Sequence, residues 1–400
     1  MKNLALTNIG ELVTNDPEIN NGQLGIIENA GVVIADGLVT WVGPASELKS
    51  QANSDPVNLH GSAVFPGFVD SHSHLVFAGE RSAEFAARMS GQPYVAGGIK
   101  TTVAATRAAN DESLRNNVRQ LLHEMTACGI TTNEIKSGYG LDTATEERSV
   151  RIAKEFTEDV TFLGAHVVAP EFADDTEGYV DLVIGQMLDA CAPHSKWIDV
   201  FCDRGAFTVA QTKKILQAGI AKGLKPRIHA HQLENTGAIK MAVEFDCASV
   251  DHCTHLTDED INLLAGSDTV ATLVPGAEFS TRSTYPRGRD LIDAGAMVAL
   301  STDCNPGSSY TTNMPLMVAL AVREMRLTPA EALYAATYGG AQALRRNDVG
   351  QIKVGARADI VALNAPSYVH LSYRPGVPLV NHVWRSGKTV FEVDKRRNHG

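Results

Sequence analysis

The hydrophobic pattern changes style twice along the chain. Near the start, LALTNIGELV and GVVIADGLVTWVG are β-branched stretches broken by Asp36-Gly37 and Gly43-Pro44, the punctuation of strands and tight turns. The far end returns to that style with DIVALNA at 359–365 and NHVWRSGKTVFEV at 381–393, where Ser386-Gly387 predicts a hairpin turn. Between them, short apolar runs alternate with amphipathic helical stretches. The runs are AVFPGFVDSH, GITTNEIKS, VTFLGAH, KWIDVFCD, PRIHAH, ASVDH, TVATLVP and AMVALSTD. Good helix formers such as EERSVRIAKEF at 146–156 and AQTKKILQAGIAKG at 210–223 separate them.

Eight strands, each followed by a helix, close a parallel barrel, so the expected class is α/β with a TIM-like (β/α)8 barrel. The strand-rich ends are expected to pair as a small β-sandwich. This divides the chain into a discontinuous domain, 1–62 plus 350–400, and a barrel domain, 63–349.

Composition narrows the function. With 46 acidic against 35 basic residues the formal charge is −11, which argues against a nucleic-acid partner needing a basic face. The six cysteines form no CxxC pair, so neither a disulfide framework nor a zinc ribbon is expected. The opening MKNLALTNIGELVTND meets polar residues too early for a signal-peptide core, and no apolar run is long enough to cross a bilayer. The expectation is a cytoplasmic protein with no membrane partner.

The polar residues of the middle region gather at the C-terminal ends of the expected strands, where a barrel builds its active site. Asp70-Ser71-His72-Ser73-His74 ends the first. Alternate side chains on a strand share a face, so His72 and His74 can point to one centre. By itself such a pair is as well explained by structural histidines. Ile228-His229-Ala230-His231, Val250-Asp251-His252 and Ser301-Thr302-Asp303 end three later strands. Histidines and one carboxylate around a barrel mouth suit a catalytic metal, which lowers the pKa of water toward ~7. His231 alternates away from His229 and reads as structural.

The HxH, H, H and D pattern at strands one, five, six and eight resembles the amidohydrolase superfamily across the whole chain. Longer stretches resemble the imidazolonepropionase family within it: FPGFVDSHSHLVFAGERSAEF, YVAGGIKTTVAATR, EIKSGYGLD, FLGAHVVAPEF, HAHQLENTGA and STDCNPGSS. The resemblance implies hydrolysis of 4-imidazolone-5-propanoate to N-formimino-L-glutamate in histidine degradation, with zinc or iron as cofactor. It implies that His72, His74, His229 and Asp303 bind the metal, and that Arg81, Tyr139, His166, Gln232, Asn305, Gly307 and Ser308 surround the ligand. Two-metal barrels of this kind carry a lysine at the end of the fourth strand, where this chain has Phe201-Cys202-Asp203, so one ion is expected. Lys136 lies on the second strand, wrongly placed to bridge.

Residue chemistry fits such a substrate. Arg81 offers a fork of donors suited to the propanoate carboxylate, though an arbitrary arginine is more often a surface residue. Tyr139 sits between Gly138 and Gly140 in an expected sharp turn. Asn305-Pro306-Gly307-Ser308 follows Asp303 directly, yet Asn-Pro and Gly-Ser are also plain turn formers. Gln232 stands where some members of the family carry glutamate, and glutamine cannot act as a general base. Glu234, two residues on, reads as a helix-start residue. His252 and Asp303 are the expected catalytic pair: Asp303 moves the proton, and His252 polarises the carbonyl. The glycine-rich 91–99 segment is the candidate closing loop; the sequence does not set the oligomeric state, and a homodimer is compatible with a barrel of this type. Alternatives are another mononuclear amidohydrolase, such as a nucleobase-type deaminase, and a catalytically silent scaffold, which would be expected to have lost metal ligands.

Overall fold

Asp36-Gly37 and Ser386-Gly387 each have two positive φ angles, 51° and 84° in the first, 49° and 69° in the second. That is the conformation of the two-residue hairpin turns whose twist matches the flanking strands. In the computed structural model, which describes residues 3–20, 22–51, 54–91 and 98–393, they join β2 (Ile26–Ala35) to β3 (Leu38–Pro44) and β16 (Val380–Arg385) to β17 (Lys388–Glu392). With β1 (Asn3–Val13), β4 (Ser54–Pro66) and β15 (Ile360–Leu363), these strands form one seven-stranded sheet, ordered β17-β16-β15-β4-β1-β2-β3. The sandwich expected from the chain ends is thus built from a single continuous sheet. Leu6, Leu12, Val32, Val64, Ile360 and Trp384 share its buried apolar cluster. Burying each large side chain of this kind contributes roughly 1.5–3 kcal/mol.

The second architecture is the parallel barrel. Its strands are β5 (Phe68–Asp70), β6 and β7 (Ile130–Asn133, Ile135–Lys136), β8 (Val160–Ala165) and β9 (Trp197–Cys202). The circuit continues with β10 and β11 (Lys225–Pro226, Ile228–Ala230), β12 (Ser249–His252), β13 (Val270–Leu273) and β14 (Val298–Leu300). Most are buried along their whole length, as parallel strands covered on both faces must be. Each lies within an apolar run anticipated from the sequence, except that β10 begins one residue before its run, at Lys225. The first run differs in one respect: Ala63–Pro66 belongs to β4, paired to β1 and β15, and the barrel strand proper begins only at Phe68. Pro66 has no N–H to give, and the chain changes sheets across Pro66-Gly67.

The chain forms two compact units, one of Met1–Asp70, His123–Thr132 and Asn313–Gly400, the other of Ser71–Leu122 and Asn133–Thr312. Within the second, the HxH segment is stitched on both sides. Asp303 N donates to His72 O at 3.1 Å, His74 N to Cys304 O at 3.0 Å, and Lys136 N to Ser73 O at 2.9 Å. These bonds bring the tips of strands one, two and eight together. Among the described residues, no helix is long and apolar enough to cross a membrane. Residues 92–97 of the expected closing loop lie outside the described residues.

Candidate active site

Four strand tips of the second unit converge on one buried cluster. His72 Nε2 and His74 Nε2 lie 3.2 Å apart, and His229 Nε2 is 3.4 Å from His74 Nε2. Asp303 Oδ1 stands 3.3 Å from His72 Nε2 and 3.5 Å from His74 Nε2. Four ligands at ~2.1 Å from a tetrahedral ion would be about 3.4 Å apart, so the spacing fits such an ion. His252 is close as well, its ring centroid 5.3 Å from that of His229.

The donor chemistry fits too. His72 Nδ1 lies 2.7 Å from Asp251 Oδ2, and His229 Nδ1 3.0 Å from Asp199 Oδ2. A carboxylate at Nδ1 keeps the proton there and leaves Nε2 as a lone pair. Burial, reinforced by Lys136 and neighbouring histidines, holds His72 well below its usual pKa; burial and the other histidines do the same for His74. Two of the three imidazoles thus turn Nε2 lone pairs toward one centre, the arrangement that a bound cation satisfies. Burial likewise keeps His252 neutral, and burial pushes the Asp303 carboxyl upward.

Both His252 (φ 82°) and Asp303 (φ 49°) have left-handed backbones at their strand tips. Such strain is held in place by surrounding structure, and it aims the side chains off the strand direction. The two Asp303 oxygens are divided in their contacts: Oδ1 faces the histidines, and Oδ2 is 3.3 Å from Ser308 Oγ.

One cleft gathers the residues singled out in the sequence. Its walls include His74, His229, His252 and Asp303 together with Arg81, Tyr139, His166, Gln232, Asn305, Gly307 and Ser308. Tyr139 is buried, its ring centroid 5.4 Å from that of His166. His166 stacks on His74 with centroids 5.3 Å apart, its Nδ1 2.9 Å from Gly138 O, and burial lowers its pKa to about 4. Asn305 closes its own turn: Oδ1 accepts from Gly307 N at 2.8 Å and Ser308 N at 2.9 Å, while Nδ2 donates to Asp303 O at 2.7 Å. The turn reading of this segment therefore holds alongside its place in the cleft.

Two expectations need amendment. Glu234 is not at a helix start. It lies in the loop before the helix Ala238–Glu244, whose N-cap is Gly237, and its exposed carboxylate is 3.5 Å from Arg204 Nη1. Arg81 is also less simple than expected, because its Nε and Nη2 already donate to Glu84 at 2.9 and 2.7 Å. His231 does stand off the cleft, its Nε2 accepting from Ala238 N at 3.3 Å.

The supporting roles of several residues went unread in the sequence. Lys136, fully buried, places Nζ 2.8 Å from Asp199 Oδ2, 3.0 Å from Glu134 Oε1 and 3.6 Å from Asp251 Oδ2. Arg227 Nη2 donates to Asp251 Oδ2 at 3.2 Å and to Ser71 O at 2.7 Å. Burial alone would raise the Asp251 carboxyl, but Arg227 and Lys136 hold it below the usual range. Glu146 accepts from Gly138, Gly140 and Leu141 N–H groups at 3.0, 2.7 and 2.8 Å, and so shapes the turn that carries Tyr139. The available signal was a charged residue inside an otherwise apolar strand, as in KWIDVFCD.

Comparison with known proteins agrees with this geometry. The amidohydrolase family model matches residues 63–390. The imidazolonepropionase of Streptomyces griseus subsp. griseus is 61% identical over 391 residues, covering 98% of this chain and 100% of the relative. That of Mycolicibacterium smegmatis is 59% identical over 393 residues, covering 98% and 99%. Among solved structures, a mutant atrazine chlorohydrolase from Arthrobacter aurescens complexed with zinc and atraton superposes with TM-score 0.75 at 18% identity, over 98% of each chain. An adenosine deaminase from Xanthomonas campestris with bound zinc gives 0.74 at 18%, over 98% of this chain and 93% of the other. The two structural likenesses show a shared fold; the family match and the high identity across nearly the full length show that the chain belongs to the amidohydrolase family, and within it to the imidazolonepropionases.

Proposed function

We propose that the protein hydrolyses 4-imidazolone-5-propanoate to N-formimino-L-glutamate, using one metal ion, zinc or iron, held by His72, His74, His229 and Asp303. The observation that carries this reading is a single cleft lined by His74, His229 and Asp303 of that donor set together with Arg81, so that water activation and recognition of an anionic tail share one cavity. A bound ion would supply Lewis acidity and bring the pKa of water down toward ~7. The absence of a lysine from the fourth strand tip supports a single ion, as does the ion-paired burial of Lys136.

The reaction adds water across the cyclic amide. The carbonyl carbon gains the water oxygen, the ring carbon–nitrogen bond breaks, and the departing nitrogen gains a proton. Asp303 takes the proton from water and returns it to that nitrogen, the Oδ2 side being the one that faces Ser308. His252, kept neutral by burial, polarises the carbonyl and steadies the developing oxyanion. Gln232 lines the cleft as a hydrogen-bonding group and has no acid–base role. Tyr139, His166, Asn305, Gly307 and Ser308 surround the ligand. We place the catalytic unit in the barrel segment 63–349 and the protein in the cytoplasm, acting as a homodimer.

The test is turnover of freshly prepared 4-imidazolone-5-propanoate, followed by loss of its ultraviolet absorbance with and without a chelator. Rapid, chelator-sensitive formation of formiminoglutamate is expected. No turnover by metal-replete protein would overturn the substrate assignment and make deaminase substrates the next to try.

A further inference from the structure

Arg81 is set between two glycines and a carboxylate. Glu84 grips its Nε and Nη2 from one side at 2.9 and 2.7 Å. A Cβ on Gly98 would overlap both the Glu84 carboxylate and Arg81 Nη2, so the backbone there closes down on the ion pair. A Cβ on Gly307 would lie 2.6 Å from Arg81 Nη1, so Gly307 closes down on the opposite edge of the guanidinium. Arg88, one helical face along from Arg81 and Glu84 in Ser82–Met89, donates from Nη2 to Gly307 O at 3.0 Å and ties that glycine to the same helix.

We infer that Glu84, Gly98 and Gly307 fix Arg81 for an anionic substrate tail, making Glu84 a positioning residue that sets specificity for a carboxylate. The inference rests on the reading above that Arg81 receives that tail. Its physical content is a choice between two effects. A bare arginine attracts an anion by charge, whereas here Glu84 cancels much of that charge. What remains is orientation: a two-point clamp fixes the guanidinium plane before substrate arrives, so its ordering cost is met on folding and not on binding. The Arg81 side chain is only 5% exposed and that of Glu84 26%, so the pair is partly shielded and the clamp is not washed out by solvent.

The experiment compares E84A and G98A with the unaltered protein on 4-imidazolone-5-propanoate and on its tail carboxamide. Both variants are expected to raise KM for the carboxylate about tenfold, with kcat within about twofold and KM for the carboxamide unchanged. An unchanged or lowered KM for the carboxylate in E84A would overturn the inference, since Glu84 would then be a mere competitor for Arg81. Thermal unfolding and metal content verify that each variant is folded and loaded; should E84A not fold, E84Q is read in its place. R81A separates the two levels of argument. If R81A leaves kcat/KM unchanged, the reading of Arg81 itself falls. If R81A raises KM while E84A and G98A do not, only the positioning role falls.

Discussion

Lys136 Nζ stands 2.8 Å from Asp199 Oδ2, and the same carboxylate oxygen holds His229 Nδ1 at 3.0 Å. A strand-two ammonium is thereby joined through strand four to a metal-facing imidazole on strand five. Burial alone would raise the Asp199 carboxyl; the facing His229 imidazole and the Lys136 ammonium instead hold it below the usual range, so it is an anion at neutral pH.

Asp199→Asn is expected to weaken metal binding by roughly 10–100-fold, the usual cost of removing an outer partner of a ligating histidine. Competition against a chromophoric chelator measures this directly. Unaltered affinity would leave Asp199 as a counter-ion to Lys136 and nothing more.

Lys136→Met should act first on stability. Glu134, Asp199 and Asp251 are all buried around the ammonium, and breaking such a pair by deleting one partner costs about 3–5 kcal/mol. Denaturant unfolding of the metal-free protein reads this. A loss under about 1 kcal/mol would show that Arg227 alone neutralises the three carboxylates.

His252→Ala separates catalysis from metal binding. Loss of an oxyanion-stabilising group is expected to lower kcat by about 10²-fold or more, with metal per chain unchanged. Steady-state rates and elemental analysis on one preparation decide it; metal lost in step with activity would make His252 a ligand.

Glu278 links stability to pH. Its Oε1 accepts from Thr254 Oγ1 at 2.6 Å, and burial raises its pKa to about 7 from the usual 4.5. A carboxyl raised on folding favours the native state fully below its unfolded pKa, and that contribution is lost as pH rises through about 7. Stability should therefore fall between pH 4.5 and 7 by up to roughly 3 kcal/mol from this group. Glu278→Gln keeps the acceptor for Thr254 and removes the charge, so it should stabilise the protein at pH 8 and flatten that part of the profile. Identical profiles in chemical denaturation would contradict the assignment.

The strands of the barrel were legible because each is a short apolar run ending in turn chemistry, and that signal is local. The two hairpins were legible for the same reason, since Asp-Gly and Ser-Gly tolerate the positive φ values that the turns require. The change of sheet at Pro66-Gly67 was not, because Ala63–Pro66 and Phe68–Asp70 read as one apolar run and only their partners distinguish them. Glu234 was misjudged because helix-start preferences are shared by many loop residues.

The amino-acid sequence by itself determined the barrel, the mingling of both chain ends in one sheet domain, and the histidines and aspartate at the strand tips, since residue type and strand position are local properties. Only the tertiary structure decided what holds those groups: His72 meets Asp251 across 179 residues, and Lys136 meets Asp199 across 63. It also showed that Arg81 is already clamped by Glu84 between two glycines. Such pairings depend on where strands lie around a closed barrel and how closely backbone approaches side chain, and no local pattern in the chain encodes either distance.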